Sequence, residues 1–328
     1  MKIYIIAIAV LLVSCSEDII LENLPIPANQ LIVEGSIETD APPIVFLSKN
    51  FPYYGDYNLN DIASFFVHNA AMSVKSQTGQ EVQLQEFCIK EFLPLLTPDQ
   101  KVNIYRLFGL NYNRDSVEKY GDSLALFPNI CFYSIPDIFT FYTSGAGSML
   151  GKENTSYSLD IKLDTFHLTS TTRIPSLIRP NGLSFKPHPN PQNDSLVTVY
   201  ISLSVPDTFG NFVRYWTKRN NNSFFLPRSR SVWDDKLWVG SNVNLPIERG
   251  QARRDSIREA YSYFWRGDKV QIKWTNIDKQ TYDFWSSLES DRGDSPFATP
   301  LKIKSNIKGG LGVWAGYAVN NLFITIPK

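Results

Sequence analysis

The cysteines carry the most chemistry in this 328-residue chain. Cys15 ends the tetrapeptide Leu12-Val13-Ser14-Cys15. An aliphatic residue, two small or apolar residues and a cysteine make the lipobox of bacterial lipoprotein precursors, in which the thiol receives a diacylglyceryl group. The preceding residues fit that reading: Lys2 supplies a positive n-region, and Ile3 to Val13 is an uncharged apolar run. The run is too short to cross a bilayer, which needs about 20 apolar residues. The expected chemistry is lipidation of Cys15 and cleavage before it, with residues 1–14 removed as a signal peptide. Each buried CH₂ contributes about 0.8 kcal/mol, and one acyl chain alone holds only reversibly. A lipoprotein N-terminus carries two or three chains, palmitate among them, so attachment is expected to be effectively permanent.

Cys88 and Cys131 remain after Cys15. An exported chain meets oxidising conditions, so the pair is read as a disulfide, which in the chain-entropy model stabilises by roughly 4 kcal/mol. Two buried free thiols are the alternative. His68, His167 and His188 have no metal-ligand spacing with one another, and the cysteines are far apart in sequence, so no metal is expected. No G-x-S-x-G or H-E-x-x-H motif occurs. The acidic pairs Asp234-Asp235 and Glu289 with Asp291 are sequence neighbours, which on surface turns are usually solvated. Glycoside hydrolysis needs two carboxylates converging in a cleft. No catalytic residue and no cofactor is therefore assigned, and the chain is expected not to be an enzyme.

Aromatic residues are the better candidates for contact. All seven tryptophans lie after residue 200. Trp274 alternates with Ile272 and Val270 and reads as core. Trp233 and Trp238 sit among Asp234, Asp235 and Lys236 in an expected loop, where they suit an interface or a sugar. Phe51-Pro52-Tyr53-Tyr54-Gly55-Asp56-Tyr57 is an aromatic loop. Tyr53, Tyr54 and Tyr57 either make a contact site or fold back on their own domain.

Charge narrows the partners. Lysine plus arginine equals aspartate plus glutamate at 32 each, so no basic excess supports nucleic-acid binding. An uncleaved apolar span is also missing after the signal, so the mature chain is expected to sit on a membrane without crossing it.

The elements that must position these residues read as mainly β. Short runs of β-branched and aromatic residues recur: 31–37, 43–47, 71–75 with 81–84 as a hairpin, 157–163, 166–174, 196–205, 212–216, 269–274 and 322–326. The fold class expected is two β-sandwich domains, immunoglobulin-like or fibronectin-like. Residues 15–29 form a lipidated tether, 30–176 the first domain and 177–328 a second β-rich domain. A short helical insertion at about 86–127 interrupts the first, with Thr97-Pro98-Asp99-Gln100 as a helix start. The proline-dense stretch 175–195 marks the boundary. Apolar residues in 280–289 are spaced helically. Four glycines in residues 309–316 beside Leu311, Val313 and Trp314 point to a tight turn entering a packed strand, since a phosphate loop would lead into a helix.

Three stretches resemble a Bacteroidota lipoprotein family known as domain of unknown function 4249. They are Leu31-Ile32-Val33-Glu34-Gly35 with Pro42 to Leu47, then Ala70 to Gly79 with Tyr157 to Ile161, and finally Ser295-Pro296-Phe297 through Pro300 with Ser305 to Tyr317. The likeness covers nearly all of the mature chain. Ser16-Glu17-Asp18 also resembles the acidic signal that sends Bacteroidota lipoproteins to the outer face of the outer membrane. Members look like two-domain β lipoproteins encoded beside TonB-dependent receptors. The resemblance implies a surface-exposed, lipid-anchored outer-membrane protein that assists a TonB-dependent transporter in nutrient uptake. A stand-alone module for glycan or peptide binding, or for adhesion, is the alternative. The resemblance implies no chemistry.

Overall fold

A computed structural model of the chain describes residues 30–50, 63–92, 94, 96–99, 101–102, 129–251, 260–290 and 302–328. Cys15, the acids after it, Tyr53, Tyr54 and Tyr57 lie outside those residues, as does most of the expected insertion. The fold is mainly β. Alternation builds the first strands: β1 (Leu31–Glu38) buries Leu31, Val33 and Ile37 and turns Glu34 out. The turn at Asp40, with φ 59°, sends the chain into β2 (Ile44–Lys49). The expected hairpin is β3 (Ala71–Ser76) and β4 (Glu81–Cys88), with Gly79 at φ 92° in its turn. β4 covers residues 86–88, so the insertion starts later than the sequence suggested. Its first helix, α1, is Ile89–Phe92. A second turn of helix begins after Thr97, where the Lys101 amide donates to the Thr97 carbonyl at 2.9 Å.

The chain then returns in β5 (Cys131–Ser134), α2 (Ile138–Ser144), and the hairpin β6 (Thr155–Leu163) and β7 (Phe166–Ile174). The second half holds β8 (Gly182–Pro187), β9 (Leu196–Ser204), β10 (Phe212–Arg219), β11 (Val232–Asp234), β12 (Asn242–Ile247), β13 (Phe264–Trp265) and β14 (Lys269–Ile277). Helix α3 (Lys279–Ser290) and β15 (Leu311–Thr325) close it. β8 is a strand inside the proline-dense stretch 175–195. It pairs only with β9 among the described residues, and an edge strand tolerates Pro187 because the lost donor is not needed by a second neighbour.

Eleven of the described strands form one sheet in the order β11-β10-β14-β15-β1-β2-β5-β4-β3-β6-β7, and β9 with β8, β12 and β13 forms a smaller one. β15 joins the halves. Its start, 311–317, pairs parallel with β1, and its end, 317–325, pairs antiparallel with β14. Residues 312–318 are buried on both faces, which explains why they read as a run without alternation. Trp314 and Ala318 enter a core with Val33, Val45, Met72 and Tyr157. Val313, Ala315 and Tyr317 point oppositely, into a smaller core with Tyr282 and Phe284 of α3. Farther along, Leu322 and Ile324 pack against a third core of Val199, Ile201, Tyr215, Ile272 and Trp274.

The large sheet curls so that β6 and β7 lie over β15. Trp314 Nε1 donates to the Tyr157 carbonyl at 2.9 Å, and the Gly316 amide donates to Thr172 Oγ1 at 2.8 Å. The glycines permit this approach. A Cβ at Gly312, where φ is 109°, would stand 1.9 Å from the Val33 carbonyl oxygen, and one at Gly316 would stand 2.7 Å from the Arg173 backbone. The glycine run is thus a turn into a tightly packed strand, as its composition indicates. No helix among the described residues is long and apolar enough to cross a membrane.

Candidate functional site

Two loops at one end of the second half present the most exposed large apolar side chains among the described residues. Phe209, between β9 and β10, is 76% exposed, and Leu237, between β11 and β12, is 86% exposed. Asp207, Thr208 and Gly210 make the first loop a turn, with Gly210 at φ 99°; the second turns through residues 236–240, with Gly240 at φ 68°.

Asp235 laces the loops together. Its carboxylate, 5% exposed, accepts from the Gly210 amide at 3.1 Å, the Asn211 amide at 3.1 Å and Asn211 Nδ2 at 2.7 Å. Asn211 Nδ2 also donates to the Thr208 carbonyl at 2.6 Å. Backbone bonds complete the seam: the Gly240 amide donates to the Pro206 carbonyl at 3.1 Å and the Val205 amide to the Ser241 carbonyl at 3.0 Å. A buried carboxylate bonded to three N–H donors fixes both loops. The sequence placed Asp235 on a solvated turn; the donors of the other loop, distant in sequence, bury it instead.

Beneath the loops an aromatic stack runs into the core. Trp238 meets Trp233 edge-on with centroids 6.2 Å apart, and Trp233 lies 6.0 Å from Trp274 and 5.3 Å from Tyr215. Trp238 is in the expected loop. Trp233 is not: it sits on β11, half-buried against the core, because the β10–β11 pairing turns its ring inward. Trp274 is fully buried, as its alternation indicated. Burial pushes the Tyr215 hydroxyl well above the usual tyrosine range, so it is neutral here. Leu203, Val213, Leu245 and the three tryptophans line a hollow of about 30 Å³. That is room for roughly one water, far below the roughly 300–1,000 Å³ of a small-molecule pocket.

The acids are otherwise engaged. Asp234 pairs with Lys236 at 3.2 Å and accepts from the Tyr282 hydroxyl at 3.2 Å. Glu289, buried on α3, accepts from the Ser231 amide at 2.9 Å and from the Ser231 hydroxyl. Its sequence partner Asp291 lies outside the described residues.

Cys88 and Cys131 face each other directly in β4 and β5, with Cα atoms 4.1 Å apart, and form the disulfide. It closes the base of the insertion, the disulfide alternative of the two open in sequence. The sequence did not indicate what surrounds it. His68 and Glu86 stand beside it, with His68 Nδ1 2.5 Å from Glu86 Oε1. His167 instead bonds Asp160 at 2.6 Å on the β6–β7 hairpin, and His188 packs on Tyr263. Phe209 and Leu237 were also missed; the only sign is a bulky apolar residue inside a turn-forming segment.

No curated protein and no solved structure shows a match to the chain. A family model described as Domain of unknown function (DUF4249) matches residues 17–322. The match spans every described strand but the last residues of β15, including the glycine run that the packing of β15 demands, and the chain belongs to that family.

Proposed function

We propose that the chain is a lipid-anchored, non-enzymatic binding protein that docks a protein partner through the Phe209–Leu237 loop pair. The observation that carries this reading is the loop pair itself: two nearly bare apolar side chains on turns held rigid by Asp235. Side chains on a preorganised surface lose little entropy on docking, and a few residues that bury themselves in a partner's pocket carry most of an interface's energy. The lipobox at Cys15 supports attachment to a membrane, and the acids at 16–18 support the outer face of the outer membrane. The family likeness supports a TonB-dependent transporter as the partner, in nutrient uptake. We read the separate hydrophobic cores of the two halves as two sandwich-like units that share β15. The saturation of Asp235 by N–H donors supports a structural rather than catalytic use of the acidic pair.

A mild-detergent pull-down of the tagged, lipidated protein from its native membrane tests the reading. A stoichiometric barrel partner is expected, and Phe209→Ser with Leu237→Ser should cut its recovery at least about tenfold, as loss of two interface anchors does. Recovery of the lipoprotein alone would overturn it. The second reading, glycan or peptide binding, is favoured by the half-exposed Trp233–Trp238 pair, and calorimetry against glycan and peptide panels would show it.

A further inference from the structure

We propose that His68, Glu86, Cys88 and Cys131 form a metal site for zinc or a similar thiolate-seeking divalent cation when the disulfide is reduced. Their ligand atoms all lie within 4.8 Å of one another. Two thiolates, one imidazole and one carboxylate are a zinc donor set, and tetrahedral zinc with bonds of about 2.0–2.3 Å requires neighbouring ligand atoms to stand close together. Thiolates select zinc over calcium or magnesium.

The site is supported from behind. Glu86 Oε2 accepts from the Asn69 amide at 3.0 Å and from the Tyr133 hydroxyl at 3.3 Å, which leaves Oε1 aimed at His68 and Cys88. The Tyr133 hydroxyl accepts from the Ala70 amide at 3.1 Å and lies 2.9 Å from the Val67 carbonyl, so it also fixes the segment that carries His68. Partners of this kind orient ligands and set metal affinity. Cys88 and Cys131 are directly opposed in the β4–β5 register, so the backbone pairing that brings the two side chains together does not depend on the sulfur–sulfur bond alone. His68, about half exposed, opens the site to solvent, giving the ion an entry path.

The redox step balances. A dithiol reductant breaks the Cys88–Cys131 bond, giving two thiols and its own disulfide; the metal ion then displaces the two thiol protons. The cross-link between β4 and β5 is kept, with metal in place of the sulfur–sulfur bond.

The mature protein, reduced by a dithiol, freed of it without oxygen and titrated with cobalt(II), tests the proposal. One equivalent is expected to bind, with thiolate-to-cobalt charge-transfer absorption and the strong visible bands of a tetrahedral site, while oxidised protein binds none. His68→Ala and Glu86→Gln should each weaken binding by about 10-fold or more, and zinc should displace the cobalt. The proposal is overturned if reduced protein shows no more absorption than Cys88→Ser, or if both ligand variants bind like the parent. Circular dichroism run alongside decides the remaining case: loss of strand signal on reduction would also overturn it, since the four ligands would no longer be held together.

Discussion

At the scale of single residues, buried polar groups hold the candidate surface in shape. Asp235→Ala leaves the Gly210 and Asn211 donors without their carboxylate. Gly210 is exposed and Asn211 half-buried, so water reaches the freed donors, and the expected loss is about 1–3 kcal/mol in all, with lower partner recovery even where the fold survives. Urea unfolding and the pull-down together check it. Tyr317 gives a pH dependence. Burial pushes its hydroxyl above the usual tyrosine range, and the Arg214 guanidinium partly opposes that rise. Tyr157 and Tyr215 move the same way, mainly through burial. The unfolded chain therefore releases these protons first, near about pH 10. Stability should be intact below that value and fall as pH rises through the higher folded values. Urea midpoints measured from neutral to strongly alkaline pH should show the decline, and Tyr317→Phe should make it shallower.

At the scale of elements, Asp278 shows how a helix start fastens two halves. Its Oδ1 accepts from the Thr281 amide at 2.8 Å, capping α3, and its Oδ2 accepts from Thr172 Oγ1 and the Arg173 amide, both at 2.9 Å, on β7. Asp278→Ala removes the cap, worth about 1 kcal/mol, and leaves two donors on β7, the Thr172 hydroxyl and the Arg173 amide, without their acceptor. A total loss of about 2–3 kcal/mol is expected by chemical denaturation. Asp278→Ser, able to cap but too short to bond β7 as well, should recover only part of it. The helix itself was legible from the 280–289 spacing. The reach of its cap to β7 was not, because Thr172 and Asp278 are brought together only by the curl of the sheet.

At the scale of the whole molecule, β15 makes the halves depend on one another. It supplies Trp314 to one core, Tyr317 to the second and Ile324 to the third. Lys273 of β14 also bonds Glu38 of β1 at 2.6 Å, across β15. Heat unfolding should therefore show one cooperative transition, read as coincident melting by far-ultraviolet circular dichroism and tryptophan fluorescence. All seven tryptophans lie after residue 200, so fluorescence reports mostly on the second half, while circular dichroism reports on the whole. Two separated transitions would show that the halves fold independently. Removing residues 311–328 should leave neither half stably folded.

Local pattern was enough for most of the strands. Alternation at 31–37, 157–163 and 269–274, turn residues at 39–42 and 78–79, and helical spacing at 280–289 carry their structure in the side-chain period, because burial on one face imposes that period directly. The glycine run likewise revealed close backbone approach, since only a missing side chain permits it. Long-range pairing was decided by the tertiary structure alone. A parallel partnership between the first and last strands leaves no local sign, and a strand buried on both faces loses its alternation. The same cause hid the candidate surfaces. Asp235 became a clamp, and His68 and Glu86 came to flank Cys88 and Cys131, through contacts that only the packed sheets bring within bonding distance.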